Sequence, residues 1–284
     1  MHIVTNRVAL RETIGGYRKH RQRIGFVPTM GNLHAGHLRL VERALDEGDV
    51  VVVSIFVNPL QFGKNEDLDT YPRTPDEDIS ALETLHVDVL YLPDVSDVYP
   101  GGLEMQTRVE VPGLSDMLCG LSRPVFFTGV ATVVNRLLNL VQPDVAYFGR
   151  KDYQQLMIIR KMVEDLAIPV EIRGVDTVRE ADGLAMSSRN NYLGAEQRKT
   201  AAHLYQVLCE AVEAYSNHKG SRAEVEQAAR AKLTGYGFDP DYVEIRRSLD
   251  LGAAGDHDRE LIILAAAWLD GTRLIDNLSF TVPA

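Results

Sequence analysis

The stretch RIGFVPTMGNLHAGH, residues 23–37, decides the reading of this chain. Its first half, 23–28, is a short β-branched and aromatic run of the kind that buried strands carry. An amphipathic segment at 35–47 then reads as a helix. A buried strand that opens almost directly into a helix is the first half of a βαβ unit, and the loop between them lies where open α/β sheets bind ligands. Outward from it the same alternation continues, with strands predicted at 50–57, 87–92, 144–148 and 170–175. Helices are predicted between them at 75–85, 130–141 and 152–166, the first entered through Thr74 as N-cap and Pro75 as first helical residue. Strands alternating with helices imply a parallel sheet covered on both faces.

Beyond residue 176 the texture changes. The loop DTVREADGLAMSSRNNYL leads into a long helix predicted from Ala195 to about Tyr215, then a second at 223–233. A strand at 242–246 follows, and apolar runs at 261–269 and 272–278 flank Asp270-Gly271, a type I′ hairpin signal. The expected architecture is a Rossmann-like parallel sheet with helices on both faces, residues 1–175, plus a smaller α+β domain, residues 176–284.

Composition narrows the function. A net charge of −10 argues against a nucleic-acid partner, because phosphate backbones are met by basic surfaces. It leaves room for a nucleotide substrate, since a pocket can gather a few cations locally. No apolar run approaches the ~20 residues of a membrane span, and the first residues, MHIVTNRVALRETIGG, lack the apolar core of a secretory signal. Cys119 and Cys209 lie far apart without zinc or redox spacing, and read as a loop thiol and a helix-core thiol. A reducing cytoplasm is the expected compartment.

Four strings carry chemistry. In the first, Met30 to His37, Gly31 and Gly36 permit close backbone approach, and His34 and His37 lie three apart on one helical face. Two imidazoles beside free helix-start N–H groups suit a polyphosphate. The string is neither GxGxxG nor a phosphate-binding P-loop, and as a zinc site HxxH lacks the spacing of HExxH; a capping pair of histidines is the plain alternative. The second, SIFVNPLQFG at 54–63, ends a strand with Asn58 and Gln61 and is followed by DLDTYPRT. The third, Gly149-Arg-Lys-Asp-Tyr-Gln-Gln155, opens a helix; Lys151 and Asp152 could meet phosphate and ribose or magnesium, or form a solvated helix end. Gln61 and Gln155 are two-ended hydrogen-bonders suited to hydroxyl and carboxylate groups, or exposed polar residues. The fourth, Val178 to Asn190, holds Ser187, Ser188 and Arg189, a small-polar loop with a guanidinium that suits phosphate oxygens.

The first string resembles the HxGH motif of the nucleotidyltransferase superfamily, and PTMGxLHxGH together with the other three strings resembles the pantothenate synthetase (pantoate–β-alanine ligase) family. That resemblance implies ATP held between a Rossmann-like domain and a lid domain, and an AMP-forming ligase joining pantoate to β-alanine through pantoyl-adenylate. It implies an ATP site of Met30, Gly31, Asn32, Leu33, His34, Ala35, Gly36, His37, Gly149, Arg150, Lys151, Asp152, Val178, Met186, Ser187, Ser188 and Arg189. Gln61 and Gln155 are then the pantoate and β-alanine residues; His37, His34, Lys151 and Arg189 are the catalytic set, with His37 as general acid. Magnesium is expected with the ATP phosphates, its protein ligands unassigned, and a homodimer is implied. The chain departs from the family at Val125 and Phe126, where members usually carry Gly-His. With Gly120, Pro124 and Gly129 nearby, residues 118–130 read as a connection covering the site.

Overall fold

The computed structural model describes residues 1–63, 66, 68–255 and 257–282. The chain divides into two compact units, residues 1–150 with 155–176, and residues 151–154 with 177–284.

The first unit runs β1 (His2–Val4), α1 (Arg7–Lys19), β2 (Ile24–Thr29), α2 (Ala35–Asp46), β3 (Val50–Ile55), α3 (Pro75–Thr84) and β4 (Val89–Tyr91). It continues with α4 (Val95–Val98), α5 (Cys119–Ser122), α6 (Phe126–Val141), β5 (Val145–Gly149), α7 (Tyr153–Asp165), which belongs to this unit from Gln155 onward, and β6 (Glu171–Val175). The six strands form one parallel sheet in the order β1-β4-β3-β2-β5-β6. Side chains alternate between faces along each strand. Val27, Val51, Val53, Val145 and Tyr147 pack with Leu40, Val41 and Ala44 of α2 and Leu82 of α3. The other face carries α6, whose Val130, Val134, Leu137 and Leu138 are buried, with α1 beside it through Leu10 and Ile14. Strands sandwiched this way are buried on both faces, which is why β2 and β3 read as near-continuous apolar runs.

Two early elements carry little sequence signal. Strand β1 has only three residues, and α1 contains Gly15 and Gly16, which weaken a helical pattern. Asn6 starts α1 regardless, its side chain accepting from the N–H groups of Val8 and Ala9.

Segment 118–130 is largely helical where the sequence reads as a loop connection. It holds α5 and the first turn of α6, and Cys119 is a buried helical residue rather than a loop thiol. Its glycines mark close approach of backbone. A Cβ on Gly120 would stand 1.8 Å from the Ser115 carbonyl oxygen, and one on Gly129 would stand 2.1 Å from that of Leu60. Phe127 is core, while Phe126 lies under the Arg123 guanidinium, 3.6 Å from its ring centroid. Arg123 also pairs with Glu66, so Phe126 forms the floor of an ion pair.

The second unit contains α8 (Ala195–Ala201), α9 (His203–Ser216), α10 (Arg222–Gly235), β7 (Asp239–Arg247), β8 (Glu260–Leu269) and β9 (Thr272–Thr281). The single helix expected from Ala195 is two, broken at Ala202. The strands form an antiparallel sheet, β7-β8-β9. Asp270 and Gly271 both take positive φ, +48° and +79°, as a type I′ turn requires. Leu204, Val207, Leu208, Val225 and Leu233 of the helices form a core with Val243, Ile245, Leu261 and Ile263. Among the described residues no helix is long and apolar enough to cross a membrane.

Gly129→Ala drives a methyl into the Leu60 carbonyl where α6 meets the turn Pro59–Gln61, so it should lower unfolding free energy by about 1–3 kcal/mol in urea titrations.

Candidate functional site

The winding of the sheet places the first string. From β2 the chain moves one way through β3 and β4, then returns to the other side of β2 as β5. Loops leaving β2 and β5 therefore diverge, opening a crevice at the carboxyl ends of the strands. Met30 to His37 follows β2, and Gly149-Arg150 follows β5.

The loop after β2 is fixed bond by bond. The Thr29 hydroxyl donates to the Ser54 carbonyl at 2.8 Å and accepts from Gly31 N–H at 3.2 Å. Gly31 and Asn32 are both left-handed, at φ +81° and +49°. The N–H groups of Asn32 and Leu33 donate to the two carboxylate oxygens of Asp78, at 2.9 and 2.7 Å. His34 is the N-cap of α2, its Nδ1 accepting from Gly36 N–H at 3.1 Å, while Nδ1 of His37 accepts from His34 N–H at 3.4 Å. The free N–H groups expected at this helix start are therefore engaged at Gly31, Asn32, Leu33, His34 and Gly36. What the loop presents instead is a pair of rings, with centroids 4.1 Å apart. With Nδ1 of each accepting a hydrogen bond, the proton of the neutral ring is assigned to Nε2.

The second string folds back onto the first. Gln61 is buried in the turn Pro59–Gln61, with Nε2 2.8 Å from Sδ of Met30 and Oε1 accepting from Asn58 at 3.1 Å. Asn58, 1% exposed, also donates to the Gly129 carbonyl and accepts from the Tyr99 hydroxyl at 2.8 Å and from Leu60 N–H. Burial holds the Tyr99 hydroxyl well above its ordinary pKa, so it stays a donor. Of DLDTYPRT, Asp67 lies outside the described residues; Tyr71 is buried with its ring edge-on to Phe62. Arg150 reaches the Asp176 carboxylate at 3.2 Å, Gln155 is half-buried in α7, and the neighbouring Gln154 is buried.

The remaining residues belong to the second unit. Lys151 and Asp152 lie in a helical turn, Lys151 Nζ standing 3.9 Å from the Asp152 carboxylate. The side chain of Asn277 on β9 donates to the Lys151 carbonyl at 2.7 Å. Val178 and Met186, eight positions apart, are joined by a 3.0 Å backbone bond across a tight hairpin turned at Gly183. Ser187 caps the turn Ser188–Tyr192, accepting from Arg189 N–H, and Ser188 is buried. Arg179 anchors the hairpin. It grips buried Asp276 through both terminal nitrogens, at 2.6 and 2.9 Å, bonds the carbonyls of Gly183 and Asn277, and lies 3.7 Å over the Tyr205 ring.

Sequence reasoning passes over Asp78, Asp276 and Asn277, and names Asn58 without giving it a part. Asp78 reads as one of three acids in the first turn of α3, with no mark that it turns toward a loop 46 positions earlier. Asp276 and Asn277 follow the hairpin signal, and two polar residues buried in a strand are the available clue. Among the described residues no three His, Cys, Asp or Glu side chains gather as metal ligands.

The first unit is thus a doubly wound sheet with a histidine pair at its switch point, and the second is a small α+β unit. The family model of pantoate-β-alanine ligases matches residues 2–279. The pantothenate synthetase of Idiomarina loihiensis is 57% identical over 265 residues, covering 93% of this chain and 94% of its own. The crystal structure of pantothenate synthetase from Thermus thermophilus superposes with a TM-score of 0.91 at 47% identity, covering 98% of this chain and 99% of that one. A pantoate-β-alanine ligase from Francisella tularensis, crystallised with β-γ ATP and β-alanine, gives 0.81 at 35% identity, with 98% and 97% covered. The chain belongs to the pantoate-β-alanine ligase family.

Asp276→Asn should leave Arg179 without its counter-charge and lower stability by about 3 kcal/mol, read by chemical denaturation at neutral pH. Resistance of the 178–186 hairpin to proteolysis should fall in the same variant.

Proposed function

We propose that this chain condenses pantoate with β-alanine at the expense of ATP. The pantoate carboxylate oxygen attacks the α-phosphorus, the bond to the β-phosphate breaks, and pyrophosphate leaves pantoyl-adenylate behind. The β-alanine amine then attacks the acyl carbon, the acyl–phosphate bond breaks to release AMP, and the amine gives up a proton. Family membership supports the reaction, and the observation that carries the site is the histidine pair at the switch point with Gln61 packed against Met30.

Both steps join anions, so the requirement is orientation and neutralisation of growing charge. In this reading His34 and His37 donate hydrogen bonds from Nε2 to phosphate oxygens, and His37, doubly protonated beside the bound phosphates, supplies a proton to the leaving pyrophosphate and returns to the neutral ring. Lys151, Ser188 and Arg189 are the other phosphate partners. Met30 to His37, Gly149 to Asp152, Val178 and Met186 to Arg189 contact ATP, and Gln61 and Gln155 bind the hydroxyl and carboxylate groups of pantoate and β-alanine.

Magnesium would arrive with ATP, because this cation takes phosphate and water ligands in preference to an all-protein cage, and it would offset phosphate charge. The donor set fits that mode: Asp152, half-exposed beside Lys151, is the carboxylate suited to complete such a shell. A homodimer and a cytoplasmic location complete the reading, the first checked by sedimentation.

Pantoate should support exchange of labelled pyrophosphate into ATP with no amine present; exchange that strictly needs β-alanine rules out a free adenylate intermediate. His37→Ala should slow that exchange by about 10²–10³-fold with pantoate affinity nearly unchanged. Chelation with EDTA should stop exchange and added magnesium restore it, whereas full activity in excess chelator removes the metal from the reading.

A further inference from the structure

We propose that Asp78 is a positioning residue for the phosphate-facing histidines, acting as a built-in anion within the loop after β2. The inference rests on the ATP-dependent reading above and assigns a part to a residue outside the four strings.

Asp78 is 2% exposed, yet it carries a carboxylate. A buried charge persists only where hydrogen bonds replace its water. Here each oxygen has its own backbone donor: Asn32 N–H on Oδ2 at 2.9 Å and Leu33 N–H on Oδ1 at 2.7 Å. The Thr74 hydroxyl adds a third bond to Oδ1 at 3.2 Å, and the start of α3, where Asp78 sits, favours negative charge. Successive N–H groups converging from a left-handed turn form a concavity that binds anions, the arrangement by which nucleotide-binding loops hold phosphate. In this chain the concavity lies in the loop where a phosphate would be cradled, and a side chain of the protein fills it.

Two consequences follow for the histidines. Gly31 and Asn32 are left-handed, a conformation that asparagine tolerates better than most L-residues, and the two bonds to Asp78 hold it. Space is closed as well: a Cβ on Gly31 would stand 2.9 Å from Ile55 Cγ2 and 3.0 Å from Asp78 Oδ2. Leu33 immediately precedes His34, whose backbone N–H orients His37, so the carboxylate sets where α2 begins and where both rings point. With the amides of Asn32 and Leu33 occupied by the carboxylate, phosphate recognition here passes from those backbone groups to the imidazoles.

The test is Asp78→Asn, which keeps the volume but offers only one acceptor to two donors. Two readouts are needed, amide hydrogen exchange in the ligand-free protein and the kinetics of pantoate-dependent pyrophosphate exchange. Exchange at Asn32 and Leu33 should quicken by about tenfold or more while amides in the middle of α2 and α3 keep their protection. Turnover should fall by about 10²-fold, the cost of misplacing reacting groups by an ångström, with the pantoate KM within about threefold of the parent. Turnover within threefold of the parent overturns the proposal, as does a fall accompanied by loss of protection throughout α2 and α3. If Asp78→Asn does not fold, Asp78→Glu, which keeps the charge but moves it by one methylene, is held to the same two readouts. A parent protein that shows no pantoate-dependent exchange defeats the proposed function instead, and the amide measurement still decides the role of Asp78.

Discussion

The reversal of winding at β2 is the constraint on which the first unit depends. The chain leaves β2 toward β3 and leaves the neighbouring β5 toward β6, so the connections from these two adjacent strands depart toward opposite edges. A parallel sheet needs a crossover for each new strand, and right-handed crossovers put helices on opposite faces when the direction of travel reverses. That geometry leaves the exits of β2 and β5 uncovered. Everything chemical in the first unit is then a matter of how those exits are furnished: two left-handed residues, a helix that begins at a histidine, and a turn that carries Gln61 back to Met30.

What can be read in advance follows from the range of each signal. Hydrophobic periodicity is local, and β2, β3, β5, α2 and the β8–β9 hairpin all declare themselves within a few residues. Turn chemistry is equally local, so Asp270-Gly271 specifies its own conformation. The histidine string is legible because its spacing is set by one helical turn. Close approach between distant segments leaves no such mark. Gly129 reads the same whether it relieves a loop or admits the Leu60 carbonyl, and only the packing of α6 on the turn Pro59–Gln61 distinguishes them. The same limit explains why 118–130 reads as a loop from its glycines and proline although the chain is helical on both sides of Pro124. It also explains why Asp78 reads as one acid among three and the amides near His34 as free.

The buried polar residues share a design. Asn58, Asp78, Asp276 and Asn277 each spend their hydrogen-bonding capacity on backbone or side chains of the protein itself. Each bridges segments far apart in sequence, so each sets the position of a neighbour. Such groups are costly to bury and poorly replaced by apolar ones that lack directionality. Working side chains backed on this plan rest on a rigid support.

The pairing of Arg179 with Asp276 has a temporal side. The two residues are 97 positions apart, and the carboxylate is made after the arginine, the hairpin and all of α8, α9 and α10. Synthesis runs from the amino end, and folding tends to follow it. During that interval the nascent chain holds the Val178–Met186 hairpin without its anchor. The finished sheet strand β9 arrives as the part that locks it, so a chain cut short before residue 276 carries a hairpin that is never fastened.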